Sequence, residues 1–345
     1  MKTYQYDAAK IIENVWGAQV GLSVRKVGEL TPGHDQVRVR MKAHSLNFVD
    51  LICFSGAFPV DSRVPLLDGA GIIDAVGAGV TKWKVGDRVV ANPHSNWLAG
   101  APTRDTTGAV LGIATDGTLG ESVLLAESGV VAIPASIGFE AAASLPCAGL
   151  SAWNSLMGGP TRRAVSPGST ILTLGTGGVS LFAVQFAKAM GCRVIATTSS
   201  VDKTERLKAL GADAVINYKD TAEWGAAVLE LTAGQGVDLV VEVGGPNTLP
   251  QSLIAAKVGG RVAMVGIVGG MGNIDYAHLL PINHKILSLY ANGMGNRRDL
   301  EDMLRFVEIN NIKPVIDSVH AFDKAEDAIR HFASRAHIGK VVISH

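Results

Sequence analysis

Two kinds of hydrophobic spacing divide the chain. Through residues 1–148, apolar positions tend to recur at every second residue. GLSVRKVGEL (21–30) and QVRVRMKAHS (36–45) alternate in this way, with TPGHD (31–35) between them as a turn. GAGIIDAVGAGV (69–80) and DRVVA (87–91) add short strands broken by glycine. A period of two belongs to strands with one buried face, so this stretch predicts a partly open β-barrel with irregular loops.

Residues 149–290 change character. STILTLG, CRVIATTSS, ADAVINY, GVDLVVEVG and GRVAMVGIVG are short apolar runs of the kind that form fully buried strands. Between them VSLFAVQFAKAMG, DKTERLKALG, TAEWGAAVLELTAG and TLPQSLIAAKVGG read as helices, closing on Gly191, Gly211, Gly234 and Gly259 as C-terminal caps. Strand–helix alternation implies a doubly wound parallel sheet with right-handed crossovers. His284–Tyr290 is the expected last strand, at the edge. An apolar edge needs cover, which predicts a homodimer joined across residues 284–290. In the tail, 291–345, RRDLEDMLRFVEINN and FDKAEDAIRHFASR predict two helices and GKVVISH a strand that returns to the first domain. The fold class is therefore α/β, with residues 1–148 and 291–345 in one domain and 149–290 in the other.

The bulk numbers agree with two packed cores. The chain has 345 residues, 47% hydrophobic and 18% charged. Lys+Arg and Asp+Glu balance at 31 each, so no field of one sign is available to attract nucleic acid or an anionic membrane. Three cysteines, Cys53, Cys147 and Cys192, form no disulfide framework. The start, MKTYQYDAAK, lacks the apolar core of a secretion signal, and no run is long enough to span a membrane. The expectation is a cytoplasmic protein.

The sharpest chemical signal is ILTLGTGGVSLFAVQFAKAMG. A strand enters Gly175-Thr176-Gly177-Gly178-Val179-Ser180 and leaves as a helix. The first glycine turns the chain and the second lets backbone approach a diphosphate. The helix N-terminus offers free N–H groups and a positive dipole end. Gly-rich turns are common, but one between strand and helix and followed by more βα units reads as a dinucleotide site. Ser180 stands where a third glycine is usual. The second strand ends in Thr197-Thr198-Ser199-Ser200 with Lys203 beyond, and no acidic residue precedes Asp202 to hold ribose hydroxyls. Ser199, Ser200 and Lys203 suit a 2′-phosphate, so NADP(H) is preferred and NAD(H) possible. The plain alternative is that a serine caps the next helix.

HSLNFVDLICFSGAFP, PLLDGAGIIDAVGAGVTKWKVGDRVV, PCAGLSAWNSL, LGTGGVS and GKVVIS together resemble the medium-chain dehydrogenase/reductase superfamily over nearly the whole chain. The resemblance implies a GroES-like barrel domain, a Rossmann domain and an active site in the cleft between them. It also implies where a catalytic zinc would be held, by Cys, His and Cys. Here those positions carry Asn47, Leu67 and Cys147, and residues 92–120 have no cysteine for the structural zinc lobe. An amide, an alkyl group and one thiol do not make a tetrahedral N/S site. No zinc is expected, and Cys147 reads as a small buried hydrophobe. His44 lies in a strand, as structural histidines often do, and His94 in a loop expected at the surface.

Asn47-Phe48-Val49-Asp50 resembles the motif of the zinc-free, quinone-oxidoreductase-like branch. The resemblance implies that Asn47 and Asp50 line the nicotinamide end, with Asn47 donating to a substrate carbonyl and Asp50 holding Asn47 or a water. The plain alternative is that both cap a short helix. Ile52 and Phe58 stand where some relatives carry tyrosines. Lys340 resembles a family position near the diphosphate. Without zinc, an acceptor that spreads charge into an enolate is the natural electrophile. The expected activity is NAD(P)H-dependent reduction of a quinone or α,β-unsaturated carbonyl compound. An alcohol dehydrogenase, or a dinucleotide-binding protein without turnover, stays open.

Overall fold

The structure is a computed structural model that describes residues 1–15, 17–159 and 163–345. Its contacts divide the chain into two compact units, residues 1–150 with 295–345, and residues 151–294.

In the first unit, β1 (Lys2–Asp7) and β2 (Gly21–Lys26) form an antiparallel pair. β3 (Gln36–Ser45) turns Val37, Val39 and Met41 inward between Arg38 and Arg40. Its last residues, Ala43, His44 and Ser45, are all buried, so the strand is covered on both faces where it ends. There follow α1 (Phe48–Phe54), β4 (Asp68–Val76), β5 (Arg88–Ala91), α2 (Arg104–Thr107), β6 (Ser122–Ala126), β7 (Val130–Ala132) and α3 (Phe139–Ala143). A wide π-turn, Leu145–Gly149, then runs into α4 (Leu150–Met157).

The second unit alternates as the spacing predicts: β8 (Thr170–Leu174), α5 (Gly178–Ala189), β9 (Arg193–Thr198), α6 (Val201–Ala209), β10 (Ala214–Asn217), α7 (Trp224–Leu231), β11 (Val237–Glu242), α8 (Leu249–Ala255), β12 (Ala256–Met264), α9 (Leu280–His284) and β13 (Ser288–Ala291). All pairings are parallel, in the order β10-β9-β8-β11-β12-β13. This is the doubly wound order whose reversal point lies beside the first strand, here β8.

Two expectations need correction here. The helix expected over 248–260 ends at Ala255, and Gly259 lies inside β12 rather than capping a helix. The free carbonyls at the end of α8 are collected instead by Lys285, whose Nζ donates to Ile254 O at 2.5 Å and Ala256 O at 2.9 Å. The edge strand expected over 284–290 is shorter, because α9 continues through His284. β13 is still the edge of the sheet.

The tail contributes α10 (Arg297–Ile309), β14 (Ile316–Ala321), α11 (Ala325–Ala333) and β15 (Lys340–Ser344) to the first unit. Asn296 accepts from the backbone N–H of Asp299, and Asp299 accepts from that of Asn296, so α10 starts in a capping box. β14 was not legible: it buries no residue fully and alternates only between half-exposed and exposed. β15 pairs with β14 in parallel and with Ala43–Ser45 of β3 antiparallel. The first part of that same β3 edge, Gln36–Arg40, pairs with β6. β3 is long enough to carry two partners end to end on one edge and β4 on the other.

Candidate functional site

Five segments of the first unit converge on one buried polar centre. β3 ends at Ser45 and leads through Leu46 to Asn47, the N-cap of α1; α1 carries Asp50; β4 begins at Asp68; the π-turn brings Cys147; β15 begins at Lys340. Asp50 and Asp68 are fully buried, Asn47 is 6% exposed and Lys340 2%. Asn47 Nδ2 donates to Asp68 Oδ2 at 2.9 Å, and its Oδ1 accepts from Lys340 Nζ at 2.5 Å. Lys340 Nζ also donates to the Leu46 carbonyl at 2.7 Å and lies 3.6 Å from Asp68 Oδ2. The other Asp68 oxygen accepts the backbone N–H of Cys147 at 3.0 Å.

The approach to β4 is strained. Leu66 is buried with φ +70°, a left-handed conformation that disfavours a side chain by ~1–2 kcal/mol. Thr118 holds it there: its backbone N–H donates to the carbonyls of Pro65 and Leu66, and its hydroxyl donates to Asp68 O at 2.8 Å. Gly117 has no alternative, since a Cβ would fall 2.2 Å from Leu66 O and 2.4 Å from Pro65 O. The loop thus fixes the height at which the Asp68 carboxylate enters the centre.

Burial dominates the electrostatics. It pushes Asp68 up to about 6, against the pull of Lys340 and the hydrogen bonds from Asn47 and Cys147. Near neutral pH Asp68 is therefore ionised beside the ammonium. Asp50 is pushed up to about 8 by burial, with the Asp68 charge adding, and opposed by hydrogen bonds from Asn47 and the charge of Lys340. Its Oδ2 accepts the Asn47 backbone N–H at 2.7 Å, while Oδ1 has no hydrogen-bond partner among the described residues. Asp50 is thus a neutral acid at pH 7. Burial also raises the Cys147 thiol well above the ordinary thiol range, with Asp68 the second cause, so it is no thiolate.

The geometry bears on two roles expected from sequence. Asn47 was to aim its amide at a substrate oxygen, but both ends of that amide are engaged, by Asp68 and Lys340. Asn47 is also the N-cap of α1, in a capping box that Asp50 closes on the Asn47 backbone N–H. Lys340, expected near the diphosphate, is buried within the first unit, with its donors turned to Leu46, Asn47 and Asp68. Asp68 was passed over, although an acid within the apolar run PLLDGAG must find a buried partner.

A catalytic zinc does not fit these donors. Asn47 is tied to a lysine and a carboxylate, Leu67 is a fully buried alkyl group, and Cys147 holds its proton. Among the described residues no group of three or more His, Cys, Asp or Glu side chains is placed to hold a metal ion. His44 is buried and bonded, with Nε2 3.0 Å from His345 Nε2 and Nδ1 3.3 Å from Thr118 Oγ1. His94, expected at the surface, is 6% exposed and lies edge-on to Trp97 at 5.7 Å.

The dinucleotide turn of the second unit has the expected geometry. Gly175 leaves β8 with φ +75°, which admits glycine far more readily than any other residue. Gly177 precedes α5, and a Cβ on it would meet nothing within 4 Å. The N–H groups of Gly178 and Val179 stand in the first turn of a 12-residue helix, where backbone donors and the helix dipole suit an anion. Thr176 is buried beside it. Ser180 replaces the third glycine without strain, because its hydroxyl donates to Leu174 O at 2.6 Å and ties helix to strand. Ser199 and Ser200 are half-buried after β9. Ser200 is the N-cap of α6, yet its side chain makes no capping bond. Lys203 is half-buried on the first turn and pairs with no carboxylate among the described residues.

Family models agree with both units. Residues 33–135 match one described as the alcohol dehydrogenase GroES-like domain, and residues 178–308 one described as zinc-binding dehydrogenase. A zinc-type alcohol dehydrogenase-like protein of Schizosaccharomyces pombe is 42% identical over 322 residues, covering 91% of this chain and 92% of that one. A quinone oxidoreductase of Pseudomonas aeruginosa is 31% identical, covering 97% and 99%. A solved NAD-dependent alcohol dehydrogenase superposes with a TM-score of 0.87 at 34% identity, covering the whole of both chains.

Proposed function

This chain belongs to the medium-chain dehydrogenase/reductase superfamily of NAD(P)-dependent oxidoreductases, and from that membership we propose that it uses NADPH to reduce a quinone or an α,β-unsaturated carbonyl compound without catalytic zinc. The observation that carries this reading is the donor set of the buried centre: a tied amide, an alkyl group and a protonated thiol where a zinc enzyme needs three ligands. Zinc supplies several kcal/mol to a developing alkoxide. An acceptor that delocalises its charge over an enolate or a quinol ring depends less on that help. The name of the Pseudomonas aeruginosa relative supports the same substrate class.

The chain's own contribution is placement and fixed charge. Asp50 sets the start of α1, and Lys340 and Asp68 together lock the plane of the Asn47 amide, so that the polar groups do not reorganise during reaction. Asn47 and Asp50 act here as positioning residues. Bound NADPH supplies the hydride. The backbone from Gly175 through Gly178 to Val179 would hold its diphosphate, and Ser199, Ser200 and Lys203 its 2′-phosphate.

A panel of quinones, enones and simple alcohols, assayed with and without chelator, tests the reading. We expect turnover of the conjugated acceptors, unchanged by chelator. Chelator-sensitive oxidation of alcohols would instead establish the alcohol-dehydrogenase reading, which the names of two similar proteins favour. No turnover of any substrate would leave a binding protein. Cofactor choice has its own test. Lys203→Ala should weaken NADPH by about 10-fold to 100-fold, the worth of one charge-assisted phosphate contact, and leave NADH unchanged. Equal weakening of both would refute the assignment.

A further inference from the structure

Glu242 closes β11 as a buried acid with no task in the reading above. It is 1% exposed, and among the described residues it is met by hydroxyls and backbone N–H groups. Its Oε1 accepts the N–H groups of Gly244 at 2.7 Å and Gly245 at 3.0 Å, and the Thr248 hydroxyl at 2.5 Å. Its Oε2 accepts the Ser252 hydroxyl. One carboxyl group thus gathers the loop 243–248 and the start of α8 around a single point.

That loop carries a second one. After β12, the Val268 N–H donates to Val243 O at 2.9 Å and the Gly269 N–H to Gly244 O at 2.8 Å. Asn47's counterpart in this unit is Asn247, whose Nδ2 donates to Gly269 O at 2.9 Å. The fit leaves no slack: a Cβ on Gly269 would fall 2.6 Å from Gly244 O, and one on Gly244 would fall 2.3 Å from Thr248 Oγ1. β11 lies beside β8 and parallel to it. This shelf of two loops and the Gly175–Val179 turn therefore stand at the same carboxyl edge of the sheet, next to the reversal point. Ligands of open parallel sheets bind in the crevice there.

We propose that Glu242 is a positioning residue for the cofactor, holding residues 243–248 and 265–269 as the wall of the crevice on its nicotinamide side. The inference rests on the dinucleotide site of the reading above and not on its zinc-free chemistry. A doubly wound sheet takes a dinucleotide as two mononucleotide halves. The adenosine half falls to β8, β9 and β10, with Ser199, Ser200 and Lys203, and the other half to β11, β12 and β13. Moving the carboxyl group by one methylene should shift the shelf. The Gly175 turn keeps its place, because its N–H is bonded to Thr197 O of β9 at 2.9 Å.

Calorimetric titration with NADPH and with its adenosine fragment, 2′,5′-ADP, tests this without turnover. The proteins are the unaltered chain, E242Q and E242D. Glutamine keeps an acceptor oxygen at the same reach, and the Ser252 hydroxyl can turn to accept from its amide. Aspartate keeps the carboxyl group but withdraws it. We expect E242D to weaken NADPH by about 10-fold or more, with 2′,5′-ADP within about twofold, and E242Q to weaken NADPH less than E242D does. Equal weakening of both ligands in E242D, unchanged NADPH binding in it, or a larger loss in E242Q would each overturn the proposal. Should E242D not fold, G269A decides. Its Cβ parts the two loops at an exposed position without touching Glu242, and it should show the same selective loss of NADPH. Unchanged or unselective binding in G269A would likewise overturn the proposal. If the unaltered chain prefers NADH, the same comparison is made with NADH and ADP, so an error in cofactor choice does not pass for an error here.

Discussion

Lys340→Met is expected to destabilise the protein by about 3–5 kcal/mol at pH 8, the usual cost of removing one partner from a buried ion pair. Methionine fills the volume of the aliphatic stem but leaves Asp68 facing Asn47 with no positive charge nearby. Asp68 would then hold its proton, its folded value moving higher still above about 6. A carboxyl whose folded pKa is raised gives stability that is complete below its unfolded value and lost as pH climbs towards the folded one. The deficit should therefore be small at pH 5, where Asp68 is largely protonated with or without Lys340, and should grow up to pH 8. Adding Asp68→Asn should recover most of it and remove its pH dependence, since no buried charge is left unpaired. Denaturant unfolding of the single and double variants at both pH values checks this. A loss equal at pH 5 and pH 8, or no recovery in the double variant, would show that the pair is not coupled as described.

Asp50→Asn should have the opposite sign. Burial raises Asp50 to about 8, whereas the unfolded chain ionises it near the ordinary carboxylate value. The group thus favours the folded state at low pH and works against it progressively as pH rises through that interval. Burial opposes its ionisation, Asp68 on β4 adds like charge, and the buried Cys53 thiol and Tyr6 hydroxyl are raised by the same carboxylate; the hydrogen bonds from Asn47 and the charge of Lys340 pull the other way. Asparagine keeps an oxygen for the Asn47 backbone N–H and cannot ionise. Stability should change little at pH 5 and rise by several kcal/mol, on the order of 3, at pH 9. An unchanged slope of stability against pH would mean that Asp50 is ionised in the folded protein.

The second unit was readable because each of its signals is local. A buried strand declares itself within a few residues, and Gly175, Gly191 and Gly211 mark turns whose positive φ the structure bears out. The shortened α8 escaped because its carbonyls are capped by Lys285, a side chain some thirty residues on. The buried centre is harder for the same reason at larger scale. Asn47 and Lys340 lie 293 positions apart, and no period or turn signal links them. A weaker clue was present. Asp68 and Lys340 are each the one charge in an otherwise uncharged run, PLLDGAG and GKVVIS. Two such charges of opposite sign in one domain are candidates for each other, because neither can be buried alone. The strained Leu66 left no comparable trace, since leucine does not advertise a left-handed backbone.

The shared edge of β3 also bears on how the chain is made. β15 completes that edge only after residues 340–344 have been synthesised, whereas all strands of the second unit lie between Thr170 and Ala291. On a ribosome the parallel sheet can close while the first unit still lacks β14, β15 and α11. Until then β3 has an open edge at Ala43–Ser45, and Asp68 has no ammonium to meet. Unpaired edges of this kind attract other chains during biogenesis. The nascent first unit is the stage at which chaperone capture would be most productive, and truncation shortly before Lys340 should yield a chain whose second unit folds while its first unit aggregates.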